Sequence, residues 1–184
     1  MAIYERWNEV KVSDAAKRIG VSTKSASRCF DELEYLNIDV LGMKGKSRVI
    51  NIPDDRKQLW KQIENALRNP VIRRFVLRED MKLEKKAGIS ALCEYSLLSD
   101  NVYPTYAVKK RELKDSGVKV EKQVSELEEI GCVVLELGYF IDFLGKGFQD
   151  PLSVVLSLTG EEHEEERVDI SINEMLEEYV WSKD

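Results

Sequence analysis

The chain has 184 residues, 43% hydrophobic and 34% charged, with a formal net charge of −6. That length supports a good core, as one domain or two small ones, and the composition is that of a globular chain. No apolar run nears the ~20 residues of a membrane helix, "MAIYERWNEV" lacks the basic-then-apolar pattern of a secretory leader, and three widely spaced cysteines make no disulfide framework, so no membrane partner and a cytoplasmic location are expected.

The charge is unevenly placed. Residues 1–78 hold 16 Lys and Arg against 10 Asp and Glu, and residues 79–184 hold 12 against 24. Such asymmetry suggests two modules with different partners, a basic half able to face phosphate and an acidic half that is not. The expected domains are 1–78 and 79–184, joined near Arg78 to Lys86.

In chain order, "WNEVKVS" alternates weakly and reads as a short strand, with Val10 and Val12 on one face. Ser13 or Asp14 then caps a helix over Ala15, Ala16 and Ile19, which Gly20 ends by taking a positive φ. Ser22 caps a longer helix whose apolar stripe is Ala26, Cys29, Phe30, Leu33 and Leu36. Its other face carries Lys24, Ser27, Arg28 and Asp31. After Asn37 the period changes. Ile38 and Val40 alternate, "GMKGKS" supplies two glycines and two lysines, and "RVINIP" is β-branched, which together read as a hairpin with a basic tip. Pro53 and Asp54 open a helix with Leu59, Trp60, Ile63, Ala66 and Leu67 in its stripe, stopped by Asn69-Pro70. "VIRRFVLRED" fits strand or helix.

Beyond Asp80, "AGISALCEYSLL" has helical spacing, "VYPTYAVKK" is extended, and "KKRELKDSGVKVEKQVSELEEIG" fits a helix or a strand, loop and helix. "CVVLELGYF" is the strongest strand pattern. Asp150-Pro151 is a cap followed by a first-turn proline, so "DPLSVVLSL" starts helical. "EEHEEE" reads as a solvated helix start, and "RVDISINEMLEEYVW" closes with Val168, Ile172, Met175, Leu176 and Tyr179 on one stripe. Each of Cys29, Cys93 and Cys132 has apolar sequence neighbours and reads as a buried small hydrophobe.

Two helices about Gly20, with Ala16 and Ala26 as small inward contacts, followed by a basic hairpin, have the order of a winged helix. "GVSTKSASRCFDELEYLNI", with "LGMKGKSRVINIP" as the wing, resembles the reader unit of winged helix-turn-helix transcription regulators, including the MarR-like group. The likeness covers Val10 to Pro53. It implies a transcription regulator that binds double-stranded DNA, entering the major groove by the first turns of its second helix. Ser22, Thr23, Lys24, Ser25, Ser27 and Arg28 would then meet phosphates or base edges, and Lys44, Lys46 and Arg48 would clamp the flanking backbone. "AGISALCEYSLLSDNVYPTYAV" and the stretch from Asp150 to Trp181 resemble, more weakly, the second domain of abortive-infection antitoxin-type regulators. The overall expectation is an α+β protein, an N-terminal winged helix-turn-helix followed by a smaller mixed α/β domain. Two other readings stay open: the polar helix start is an ordinary solvated face, or the chain is an antitoxin-like or other interaction module whose acidic C-terminal half binds a partner protein. Helix-turn-helix proteins bind two-fold sites as dimers, so a homodimer is expected, through the Trp60 stripe or the terminal stripe ending at Trp181.

Nothing points to an enzyme, a cofactor or a metal. His163 is the only histidine and lies inside "EEHEEE". There is no CxxC or His-Cys cluster. "FLGKGFQDP", around Lys146, lacks the P-loop signature, and Asp142 and Asp150, which could hold a metal, read as solvated residues of a glycine loop. Trp7, Trp60 and Trp181 read as core or interface.

Overall fold

A computed structural model describes residues 1–118, 129–141 and 147–182. It is an α+β structure with eight α-helices and two separate three-stranded sheets among the described residues. The chain divides into two compact units, Met1–Leu67 and Arg68–Asp184.

The first unit opens with a single helical turn, α1 (Ala2–Glu5), which no sequence pattern announced. Ile3 and Trp7 are buried, and the Trp7 indole N–H donates to the Glu5 carboxylate at 2.7 Å. The strand β1 is only Val10–Lys11, and α2 (Val12–Ile19) begins one residue later. Val12 is therefore helical, and the N-cap is Lys11 with no side-chain cap, in place of the expected Ser13 or Asp14. Gly20 does end the helix, with φ of 69°. Ser22 caps α3 (Thr23–Tyr35), its side chain accepting from the Ser25 N–H at 3.1 Å. Ala16 and Ala26 are buried, so the two helices meet on small side chains.

The stripe of α3 is narrower than its spacing suggests. Ala26 and Phe30 are buried and Leu33 is half-buried, but Cys29 and Leu36 are exposed. Cys29 stands just outside the covered arc, because a helix this short against one neighbour and a hairpin hides only a narrow stripe. Strands β2 (Leu41–Lys44) and β3 (Ser47–Ile50) form the hairpin, with Lys44 opposite Ser47. Gly45 is the first of the two turn residues and has φ of 62°, which two-residue hairpins with a leading glycine require. The sheet order is β1-β3-β2, all antiparallel. The helix α4 (Arg56–Ile63) is capped by Asp55, not by Asp54. Leu59 and Trp60 are buried within the chain. Trp60 is thus a core residue and is not on offer as a dimer contact.

The second unit starts with β4 (Val71–Leu77), so "VIRRFVL" is a strand. The unit boundary falls at Leu67, ahead of the charge switch at Arg78, because β4 pairs antiparallel with β6 (Cys132–Leu137). The second unit is consequently the larger one, not the smaller. Its sheet runs β4-β6-β5, with β5 (Thr105–Lys109) parallel to β6. All six residues of the central strand β6 are buried. Phe75, Leu77, Tyr106, Val108, Cys132 and Val134 pack on one face, and Ala87, Ala107, Val133, Leu135 and Leu137 on the other. The alternation along β6 divides them.

Helices α5 (Gly88–Tyr95), α6 (Pro151–Ser157), α7 (Gly160–Glu164) and α8 (Glu166–Leu176) complete the unit, with a π-helical turn over Glu177–Trp181. Asp150 caps α6 ahead of Pro151, as its sequence implies. It is fully buried, however, and not a solvated loop residue. Thr159 and Glu162 form a reciprocal capping box at the start of "EEHEEE". Of the terminal stripe, Val168, Ile172, Met175 and Leu176 are buried in their own chain, while Tyr179 and the closing Trp181 are half-buried. Among the described residues no helix is long and apolar enough to cross a membrane.

Gly131 shows how closely the strand entry is packed. Its N–H donates to the Leu77 carbonyl at 2.8 Å, and a Cβ there would lie 2.4 Å from the Arg78 carbonyl oxygen. Backbone cannot swing aside as a side chain can. Gly131→Ala should lower stability by about 1–3 kcal/mol, read as a lower urea midpoint at unchanged slope.

Candidate nucleic-acid interface

The exposed start of α3 is built from its cap. Ser22 and Ser25 are tied to each other, with their hydroxyls 2.9 Å apart, so both serve first as capping groups. The first turn of α3 holds no acidic residue. It carries Lys24 instead, where the positive end of the helix dipole disfavours a cation. Thr23, Lys24 and Arg28 are exposed. Lys24 and Arg28, one turn apart, share a face.

The charge reverses along the same helix. Asp31, Glu32 and Glu34 follow, all exposed. Ser27, Asp31 and Glu34 form the next stripe, and the hairpin lies against it through Arg48. One Arg48 amino group (Nη1) donates to Asp31 Oδ1 at 2.6 Å and to Glu34 Oε2 at 3.4 Å, and the other (Nη2) to Ser27 Oγ at 3.0 Å. Lys44 is paired with Glu9 across the sheet edge. Lys46, at the hairpin tip, is exposed.

The nine residues singled out from the sequence therefore divide. Thr23, Lys24, Arg28 and Lys46 are open to solvent, and the three cations among them have no ion pair among the described residues. Ser22 and Ser25 are engaged in the cap, Ser27 and Arg48 in the clamp, and Lys44 with Glu9. The sequence missed Glu9, Asp31 and Glu34 as partners of the hairpin cations. Its one signal was the row of carboxylates in "FDELEY", at helical spacing after Ser27.

The unit boundary also changes the electrostatics. Residues 1–67 hold 12 Lys and Arg against 10 Asp and Glu, a balance of +2. Arg68, Arg73, Arg74 and Arg78 belong to the second unit, where Arg73 pairs with Glu136 and Arg74 with Glu162. The first unit as a whole is thus close to neutral, and Lys11, Lys17 and Lys61 are exposed cations away from the α3 start and the hairpin tip.

Among its described residues the second unit offers no comparable convergence. His163 is exposed, with its Nε2 3.0 Å from the Val155 carbonyl oxygen. Cys93 is half-buried, and burial, reinforced by Asp100, pushes its thiol up to about 11, which keeps it protonated and unreactive at neutral pH. A shallow depression beside β5, bordered by Glu84, Glu112 and Asp115, is open to solvent. The described residues hold no group of three or more His, Cys, Asp or Glu placed to bind a metal. Asp142 and Lys146, considered from the sequence, lie outside the described residues. No family model, no curated protein and no solved structure matches the chain.

Proposed function

We propose that the first unit is a winged helix that binds duplex DNA, with α3 as the reading helix and the hairpin as the wing, in a cytoplasmic, non-enzymatic transcription regulator acting as a homodimer. The observation that carries this reading is the pair Lys24 and Arg28. They are exposed and have no ion pair among the described residues, and they stand on the first two turns of α3, beside a hairpin whose tip is an exposed lysine. A helix presenting its N-terminal turns and added cations to solvent suits a phosphate-lined groove.

Selection from a random duplex library with the intact protein, followed by affinity at two salt concentrations, tests it. The parent protein should enrich a two-fold site. Lys24→Ala/Arg28→Ala should abolish preference for that site, with Arg28→Ala alone weakening the selected site more than random duplex. Lys46→Ala should weaken both alike and reduce the salt slope of log affinity by about 1. If the folded double variant binds as the parent does, the polar start of α3 is only a solvated face.

The alternative, an antitoxin-like or other module whose acidic unit binds a partner protein, has one observation in its favour. The second unit balances 16 Lys and Arg against 24 Asp and Glu, and two of its large apolar side chains, Leu97 and Val102, are wholly exposed. A parent protein that enriches no duplex would favour it.

A further inference from the structure

The three-way clamp on Arg48 separates two roles that the sequence places together. Its guanidinium reaches three acceptors on one stripe of α3, spaced four and three residues apart, and only 29% of its side chain is exposed. A planar fork of fixed donors suits such a set, and a lysine does not. Asp31 and Glu34 together outweigh the single charge of Arg48. Were Arg48 drawn off to a phosphate, two unpaired carboxylates would face the polyanion. A duplex therefore gains little by capturing it.

We propose that Arg48 is a positioning residue: it holds the hairpin against the Ser27–Asp31–Glu34 stripe and so sets where Lys46 meets the duplex relative to Lys24 and Arg28, without itself contacting DNA. This rests on the duplex-binding reading above. The Lys44–Glu9 pair anchors the neighbouring strand of the same hairpin, so the tip is held from both strands, by Arg48 on the α3 side. Specificity follows from the angle between two rigid elements, because a helix that sits correctly in the groove with a misplaced wing must give up one contact or the other.

Three variants of the full-length protein decide between positioning and direct contact, with the selected duplex and a scrambled one as probes. Arg48→Gln should reduce the ratio of selected to scrambled affinity about tenfold, the size of one misplaced base contact, and leave the salt slope at the parental value. Arg48→Lys should fail in the same way, although it keeps the charge. Asp31→Asn/Glu34→Gln, which leaves Arg48 in place, should lower the same ratio even as scrambled duplex binds more tightly. A direct phosphate contact gives the opposite pattern: the slope falls by about 1 in Arg48→Gln, Arg48→Lys restores it, and the ratio stays constant throughout. That pattern, or parental behaviour in all three variants, overturns the inference and leaves duplex binding intact. A parent that selects no duplex overturns the duplex-binding reading and this inference with it.

Discussion

Arg73→Met should be among the most destabilising single substitutions in the second unit, at about 3 kcal/mol. Glu136 is wholly buried in the central strand β6, and Arg73, directly across on β4, donates from Nε to its Oε2 at 2.5 Å. The other carboxylate oxygen, Oε1, is buried with no hydrogen-bond partner among the described residues. Removing one member of such a pair leaves a desolvated charge unmatched, a loss of about 3–5 kcal/mol when both partners are enclosed. Half of the Arg73 side chain is exposed, which places the expectation at the lower end. Replacing both partners differs in kind. Arg73→Met/Glu136→Leu puts apolar groups beside Phe75, Val108 and Val134, and should recover most or all of the parental stability. Urea unfolding of the two single variants and the double closes the cycle. A single variant as stable as the parent would mean that Glu136 does not depend on Arg73.

The second large effect is expected at Gln149, which is 1% exposed and joins the start of α5 to the end of α6. Its Oε1 accepts from the Gly88 N–H at 3.1 Å, and its Nε2 donates to Ser157 Oγ at 2.6 Å. Its backbone carbonyl accepts from the Tyr95 hydroxyl at 2.9 Å, and Tyr95 stacks edge-on against Phe148 and Tyr179. Gln149→Leu keeps the volume but orphans the Gly88 N–H. It also removes one of the two bonds of Ser157, whose hydroxyl still donates to the Ser153 carbonyl at 2.6 Å. At about 1–3 kcal/mol for an unsatisfied buried group, the loss should be about 2–4 kcal/mol. Tyr95→Phe, which leaves a carbonyl short of one donor but keeps the rings, should cost less. Thermal unfolding of both variants ranks them, and the reverse order would show that the aromatic hydroxyl, not the amide, holds the two helices.

Local chemistry was legible in the chain wherever a residue acts on its own neighbourhood. Gly20, the Ser22 cap, the Gly45 turn and Asp150-Pro151 each impose a conformation within a few residues, and each stands where it was expected. Partnerships across long separations were not. Ser27, Asp31 and Glu34 lie 14 to 21 residues before Arg48, and a hairpin arginine held by carboxylates looks the same in a sequence as one held by phosphate. The four arginines of residues 68–78 were credited to the first half because charge was counted along the chain, while β4 is claimed by a strand about 60 residues further on. Glu136 did leave a trace. A lone carboxylate in the apolar run "CVVLEL" requires a partner, but "VIRRFVL", "VYPTYAVKK" and the hairpin all held cations that could have supplied it.

If α3 reads a duplex as proposed, the reversal of charge along it limits how much one copy can know about the sequence. Its usable portion, from Thr23 to Cys29, advances about 10 Å along the helix axis at 1.5 Å per residue, close to three base-pair steps. Three fully read pairs single out one sequence in about 64, or about six bits. Two copies on a two-fold site reach about twelve bits, one sequence in about 4,000, whereas a genome offers about a million competing positions or more. On the proposed reading, the remaining information has to come from the spacing of half-sites, from the shape of the duplex under the two hairpins, or from a further protein bound alongside.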